Sequence, residues 1–298
     1  MTPHHFVAIG ECMIEMSGGA GDQWKLGIAG DTLNTAWHFR NATPADDWHI
    51  RYVTALGDDR YSDRIAQFIS DAGIETGAIR RLSGKRPGLY LIDQEGGDRV
   101  FTYWRENSAA RNMADDLTAL ASALNGADVL YLSGITLAIL APERRAAFID
   151  LLKPLSERTR IAFDPNIRPA LWESEEACKA AISSVAAMSE FILPSFDDEA
   201  ALFGDHSLEE TVARYRDLGV REVVVKNAGN PCTFLSEDQV KTIATPQVSK
   251  IVDATGAGDS FNAAFLATRL SGMGCVDAIR AGQALSAKVI QTHGALVV

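Results

Sequence analysis

Six short apolar runs are spaced along the chain: FVAIG (6–10), IRYVTALG (50–57), ADVLYLSGI (127–135), RIAFDPN (160–166), EFILP (190–194) and EVVVKN (222–227). A strand with one wet face alternates apolar and polar residues. These runs do not, so they describe strands covered on both faces, as in a parallel sheet between helical layers. Segments with helical periodicity separate them, at 32–41, at 61–72 and from Pro142, a residue suited to a helix's first turn. Residues 256–290 read as two helices joined at SGMG (271–274). The order predicts an α/β chain with a central, mostly parallel sheet. With 298 residues, 47% of them hydrophobic, the chain can fill one such core, and 1–298 is read as a single domain.

Two regions break this rhythm, at about 12–28 and 76–104. They contain MIEMSGG, WKLGI, GAIRRL, GLYLIDQ and RVFTYWR, with turn signals SGKRPG and EGGD. Here apolar and polar residues alternate, as in half-exposed antiparallel strands. They predict a small β-sheet beside the main body, one face uncovered, able to close over a ligand or pair with a second copy.

Charge narrows the partners. Lys and Arg number 28 against 39 Asp and Glu, a net charge of −11. That balance argues against nucleic acid and anionic membranes as main partners. Cys12, Cys178, Cys232 and Cys275 form no CxxC pair, so a disulfide framework or structural zinc is not expected and a reducing cytoplasm is. The N-terminus lacks the basic and apolar regions of a signal peptide, and no apolar stretch has the length of a membrane span.

The most informative residues are DATGAGDSFNAAF (253–265). Gly256, Ala257 and Gly258 precede a helix-period pattern at Phe261, Ala264, Phe265 and Thr268. A Gly-rich turn opening a helix presents unpaired N–H groups at the positive end of the helix dipole, a ready anion site. Asp259, one residue on, could accept a proton from a hydroxyl attacking a phosphoryl group held there. Taken alone, the segment reads equally well as a structural turn with an acid at a helix start. No GxxxxGK[ST] is present, and GGAG (18–21) opens no helix.

At this motif the chain resembles the ribokinase, or PfkB, family of carbohydrate kinases. DATGAGDSF (253–261) matches that family's C-terminal signature, and GIAGDTLNTAWHF (27–39) its N-terminal signature region. The resemblance runs from GEC (10–12) to HGA (293–295). It implies a ribokinase-like three-layer αβα fold with a β-sheet lid, and transfer of the γ-phosphoryl group of ATP to a sugar hydroxyl with Mg²⁺. Within the family, the phrases GECMIEM (10–16), YVTALGDD (52–59), RPGLY (86–90), YWR (103–105), YLSGITLAIL (131–140), FDPNIRPALW (163–172) and VIQTHGA (289–295) point to a sugar-acid substrate.

The resemblance implies Asp259 as catalytic base, with Gly256, Ala257 and Gly258 cradling the phosphate. It implies Gly30, Asp31 and Asn34 on sugar hydroxyls, and Tyr90 and Tyr103 lining the sugar site from the lid. Arg105 and Arg168 would meet the substrate carboxylate, and arginine's planar fork suits that group. Asn166, Lys226 and Gly229 fall near the nucleotide, with Ala284 and Ala287 leaving room for adenine. The family's magnesium-orienting Asn-x-x-Glu is replaced by PSFDDEA (194–200), so Asp198 or Glu199 would act through water. The loop KNAGNPC (226–232) departs from VKxGxxGC, and related chains run somewhat beyond Val298. A neutral-sugar kinase, a phosphosugar kinase and a non-catalytic binding protein are the alternatives.

Overall fold

The apolar runs become the middle of one sheet. In the computed structural model, which describes residues 3–18, 23–95 and 98–297, eight strands lie in the order Gln239–Ile243, Cys232–Ser236, Glu222–Val225, Phe191–Ile192, Arg160–Asp164, Val129–Ser133, His4–Ile9 and Trp48–Val53. Every pair from Glu222–Val225 to Trp48–Val53 is parallel. The remaining edge is an antiparallel hairpin, Cys232–Ser236 with Gln239–Ile243, absent from the sequence reading.

Alternate residues of the central strands face two different cores. Val7, Leu130, Leu132, Ile161 and Phe163 pack with Phe148, Leu152, Ile182 and Val212 on one side. Phe6, Tyr52, Tyr131 and Ala162 pack with Leu33, Phe39, Phe261 and Phe265 on the other. Helices therefore cover both faces, which is why the strands read as continuously apolar. Parallel strands joined by helices all end on one edge. The residues at and after those ends, among them Gly10, Asp164–Asn166 and Lys226, gather there, where open α/β sheets place their ligands.

The lid is a separate four-stranded sheet in the order Trp24–Ala29, Met13–Gly18, Gly88–Glu95, Asp98–Trp104. Its outer pairs are antiparallel, but Met13–Gly18 and Gly88–Glu95 run parallel. Only the flanking pairs are hairpin neighbours; the central pair is joined through the body, so nothing forces it antiparallel. The expected lid segment 76–104 is also shorter than read. Arg80–Arg81, from GAIRRL, pairs with Ala55–Leu56 outside the lid. Residues 19–21 of GGAG and the glycines of EGGD lie outside the described residues. All four cysteines are free and buried. No helix among the described residues is long and apolar enough to cross a membrane.

Candidate active site

Two helix N-termini meet at the strand ends. The first, Asp31–Ala42, begins after Gly30; the second, Ala257–Leu270, begins after Gly256. Gly256 has φ 76°, and a Cβ there would lie 2.7 Å from the Cβ of Ala295. Both the left-handed conformation and the close approach demand glycine. The amide of Ala257, expected in the phosphate cradle, already donates to the Ala254 carbonyl at 3.2 Å. The amides of Gly258 and Asp259 donate to no carbonyl among the described residues. They form the anion-receptive end of the helix.

Asp259 sits half-buried beside these amides. Asn34 Nδ2 donates to its Oδ2 at 2.8 Å, linking the two helices. Thr35 Oγ1 donates to the Asp259 carbonyl at 3.3 Å. Removal from water raises the Asp259 carboxyl to about 8, the negative charges of Asp31 and Asp164 add to this, and the Asn34 hydrogen bond and Lys226 oppose it. Asp31 faces the same space. Its Oδ1 accepts from the Thr32 amide at 2.8 Å and its Oδ2 from Asn166 Nδ2 at 2.8 Å. Asn166 thus braces the start of the helix Asp31–Ala42; it holds φ 34°, and its amide donates to Asp164 Oδ1 at 3.1 Å.

Behind Asp259 runs a buried polar chain that the motifs did not reveal. Asp164 Oδ2 accepts from Lys226 Nζ at 2.9 Å and from Asn262 Nδ2 at 2.6 Å. Asn262 Nδ2 also lies 3.0 Å from Tyr131 Oη, and Thr35 Oγ1 lies 3.2 Å from the same phenol. Lys226 Nζ is 3.4 Å from where a Cβ on Gly258 would sit, so its charge stands against the Gly256–Gly258 turn. Asp164 ends a strand and opens Asp-Pro-Asn, where it reads as a turn residue; only its contact with Lys226 ties it to the Gly258–Asp259 turn.

On the lid, Tyr90 and Tyr103 are directly paired and their rings stack, centroids 5.6 Å apart. Tyr90 is buried and its hydroxyl donates to Glu15 Oε2, while Tyr103 is 44% exposed. A cleft of about 650 Å³ separates the lid at Glu15, Ser17, Gly27 and Ile92 from Thr255, His293, Gly294 and Ala295. Arg105 is buried and ion-paired with Glu11. Arg168 is half-exposed, its Nη1 donating to Asp198 Oδ2 at 3.1 Å. Both arginines expected to meet a carboxylate therefore already hold an acid.

The acidic pair of PSFDDEA divides. Burial pushes the Asp198 carboxyl up and Arg168 pulls it down, with Asp164 and Lys226 in range. Glu199 is fully buried, accepting from Arg214 Nη2 at 2.7 Å and Tyr215 Oη at 2.9 Å. Its expected role toward magnesium is corrected: no surface of the carboxylate is open, and it serves the packing of its own helix. Among the described residues no three metal-ligating side chains converge. Hard oxygen donors suit magnesium, and Asp198 offers one. The residues fit an ion held chiefly by nucleotide phosphates and water.

Around the loop expected to meet the nucleotide, Gln247 donates to the Gly229 carbonyl at 2.9 Å and Thr245 to that of Asn230 at 2.7 Å. Gln283 of the last helix, Cys275–Val289, donates to Ala244 and Thr245. Ala287, one turn on, shares that face. Ala284 does not. It lines a groove of about 870 Å³ with Pro3, His4, Trp48 and Ala264, which Ala244 and Thr245 do not line, and its assignment to adenine is corrected on that placement.

The model of the pfkB family carbohydrate kinases matches residues 3–297. The chain belongs to that family. Among relatives of the pfkB family, a 2-dehydro-3-deoxygluconokinase of Dickeya dadantii is 37% identical, over all of this chain and 98% of its own. One of Escherichia coli K12 is 36% identical over 97% of this chain and 96% of its own. Two solved structures share the pfkB fold. A 2-dehydro-3-deoxygluconokinase from Thermotoga maritima has TM-score 0.83 and 20% identity, covering 99% of this chain and 95% of its own. A putative ribokinase II from Escherichia coli in complex with ATP and Mg²⁺ has TM-score 0.80 and 22% identity, covering 98% and 94%.

Proposed function

We propose that this pfkB-family kinase transfers the γ-phosphoryl group of ATP to 2-dehydro-3-deoxygluconate (2-keto-3-deoxygluconate), giving the 6-phosphate. The full-length likeness to kinases of that name supports the substrate. The observation that carries the chemistry is the placement of Asp259: a carboxylate held by Asn34, one residue past the Gly258 amide and adjacent to its own free amide.

In the proposed reaction the sugar acid lies under the lid, with Tyr90 and Tyr103 over it and Gly30, Asp31 and Asn34 against its hydroxyls. Glu15 on the same lid face repels a carboxylate, which favours the orientation with that group toward Arg105 and Arg168. The opposite end then reaches Asp259. Asp259 accepts the hydroxyl proton as the oxygen attacks phosphorus; its raised affinity for a proton makes it a stronger base than an ordinary carboxylate. The Gly258 and Asp259 amides and Lys226 Nζ would hold charge on the transferring group. Magnesium, bound with ATP, would neutralise phosphate charge, with Asp198 the acid that reaches it through water. Closing the lid would limit hydrolysis of ATP.

An ADP-release assay over sugar acids and neutral sugars tests this reading. Turnover greatest with 2-dehydro-3-deoxygluconate supports it, and preference for fructose or ribose overturns it. The exposed Val100 and Trp104 on the lid's edge strand support pairing with a second copy, and a monomer by sedimentation would remove that part. A cytoplasmic setting is consistent with four reduced cysteines.

A further inference from the structure

Glu11 and Arg105 mark two crossings between body and lid. Glu11 lies between the strand His4–Ile9 and the lid strand Met13–Gly18; Arg105 follows the last lid strand, Asp98–Trp104. Arg105 Nη2 donates to Glu11 Oε2, with the two side chains only 8% and 1% exposed. Neither partner is saturated. Glu11 Oε1 and Arg105 Nε are buried and have no hydrogen-bond partner. Folded proteins seldom leave charged polar atoms bare, because the lost hydration is not repaid.

The surroundings leave Glu11 little freedom. A Cβ on Gly88 would lie 3.0 Å from Glu11 Oε1, and one on Gly30 would lie 2.3 Å from the Glu11 carbonyl oxygen. Gly88 starts a lid strand, and Gly30 precedes the helix carrying Asp31 and Asn34. Glu11 is thus wedged between lid and sugar-side helix. On its other side Arg105 lies over the Tyr103 ring, 5.8 Å from its centroid, next to Tyr90 on the lid's inner face.

A buried ion pair is a weak source of stability, since desolvation of both charges offsets most of their attraction. What such a pair supplies here is direction. Arginine has donors on three nitrogens in one plane. Glu11 engages one of them and fixes the plane, leaving Nε bare. Arg168 is a poorer anchor, being half-exposed and free to exchange Asp198 for water.

We propose that Glu11 is a positioning residue for the sugar acid: it aims the Arg105 guanidinium so that Nε–H meets the substrate carboxylate. This rests on the reading of Arg105 as the carboxylate's receptor. Because Glu11 cancels the charge of Arg105, the anion is recognised through a directed hydrogen bond more than through net charge. Loss of aim then outweighs the positive charge that removing Glu11 would uncover.

The test is steady-state kinetics of Glu11→Gln and Glu11→Asp with 2-dehydro-3-deoxygluconate and with its uncharged analogue, the carboxylate reduced to an alcohol. Glu11→Asp keeps the charge and shortens its reach, separating aim from charge balance. Both variants are expected to raise KM for the acid about tenfold. KM for ATP, kcat, and KM for the neutral analogue should stay within about twofold. Tighter binding of the acid by Glu11→Gln would show that Glu11 merely repels it and would overturn the proposal. So would equal KM increases for acid and analogue, or a fall in kcat that tracks a lower melting temperature. A wild-type preference for the acid that survives in both variants removes this proposal alone. A wild type with no preference for the acid removes the substrate reading, and this proposal with it.

Discussion

Asn34 Nδ2 stands 2.8 Å from Asp259 Oδ2, and this contact joins the first turns of two helices that lie far apart in the chain. It orients the carboxylate by a donor that carries no charge, so Asp259 is fixed without being made strongly acidic. Asp31, on the same turn as Asn34, pushes in the opposite direction and raises it.

Asp259→Asn should lower kcat on the order of a hundredfold or more while KM for both substrates changes little. Single-turnover phosphoryl transfer would measure it. Near-normal chemistry in the variant would mean that another group takes the proton.

The same substitution should stabilise the fold. A carboxyl whose folded value is raised to about 8 is destabilising when ionised, and that cost is greatest above this value. Removing the charge should give about 1–2 kcal/mol in denaturant unfolding at alkaline pH, and less as pH falls toward the ordinary carboxylate range. Equal gains at every pH would argue against a raised Asp259.

Activity should follow the ionised base. In the free enzyme kcat/KM is expected to rise with pH through the Asp259 titration and to fall as pH drops below it, a limb lying higher than an unperturbed carboxylate allows. Asp31→Asn removes one cause of the elevation and should move the limb to lower pH. A limb unmoved in that variant would assign the titration elsewhere.

Asp198 cannot hold the Arg168 guanidinium, as it does at 3.1 Å, and orient water on magnesium in the same position. Sugar acid should therefore bind several-fold more tightly when a non-hydrolysable magnesium nucleotide is present, because Arg168 is released toward it. Titration calorimetry with and without the nucleotide would show the difference, and Asp198→Asn should abolish it.

Ala228 holds φ 47° on an exposed loop. Side chains with a Cβ pay for that conformation, and glycine does not. Ala228→Gly should raise stability by about 0.5–1 kcal/mol after glycine's entropy cost is allowed for, read as a shift in the urea midpoint with unchanged m-value.

The parallel core was legible because burial on both faces leaves no alternation to confuse, while the Gly256–Gly258 turn, ambiguous by itself, stood out only through the DATGAGDSF signature around it. The edge hairpin was not. Its turn places Glu237 and Asp238 at φ 52° and 59° where Asn-Gly would have announced it. Asp164 and Asn262 were hidden for a different reason: each has an ordinary local role, and only folding brings them to Lys226. The burial of Glu199 under Arg214 was equally unreadable, since an acid in a first helical turn looks the same whether it faces solvent or the interior.

Gly256 has no room beside its Cα because Ala295 is packed there, and His38 Nε2 reaches the Ala295 carbonyl at 2.8 Å. The mould for the turn at Gly256 is thus cast from a distant tail. A protease nick near His293, or an epitope spliced into that stretch, should therefore loosen the Gly256 turn even with Asp259 and Asn34 unaltered.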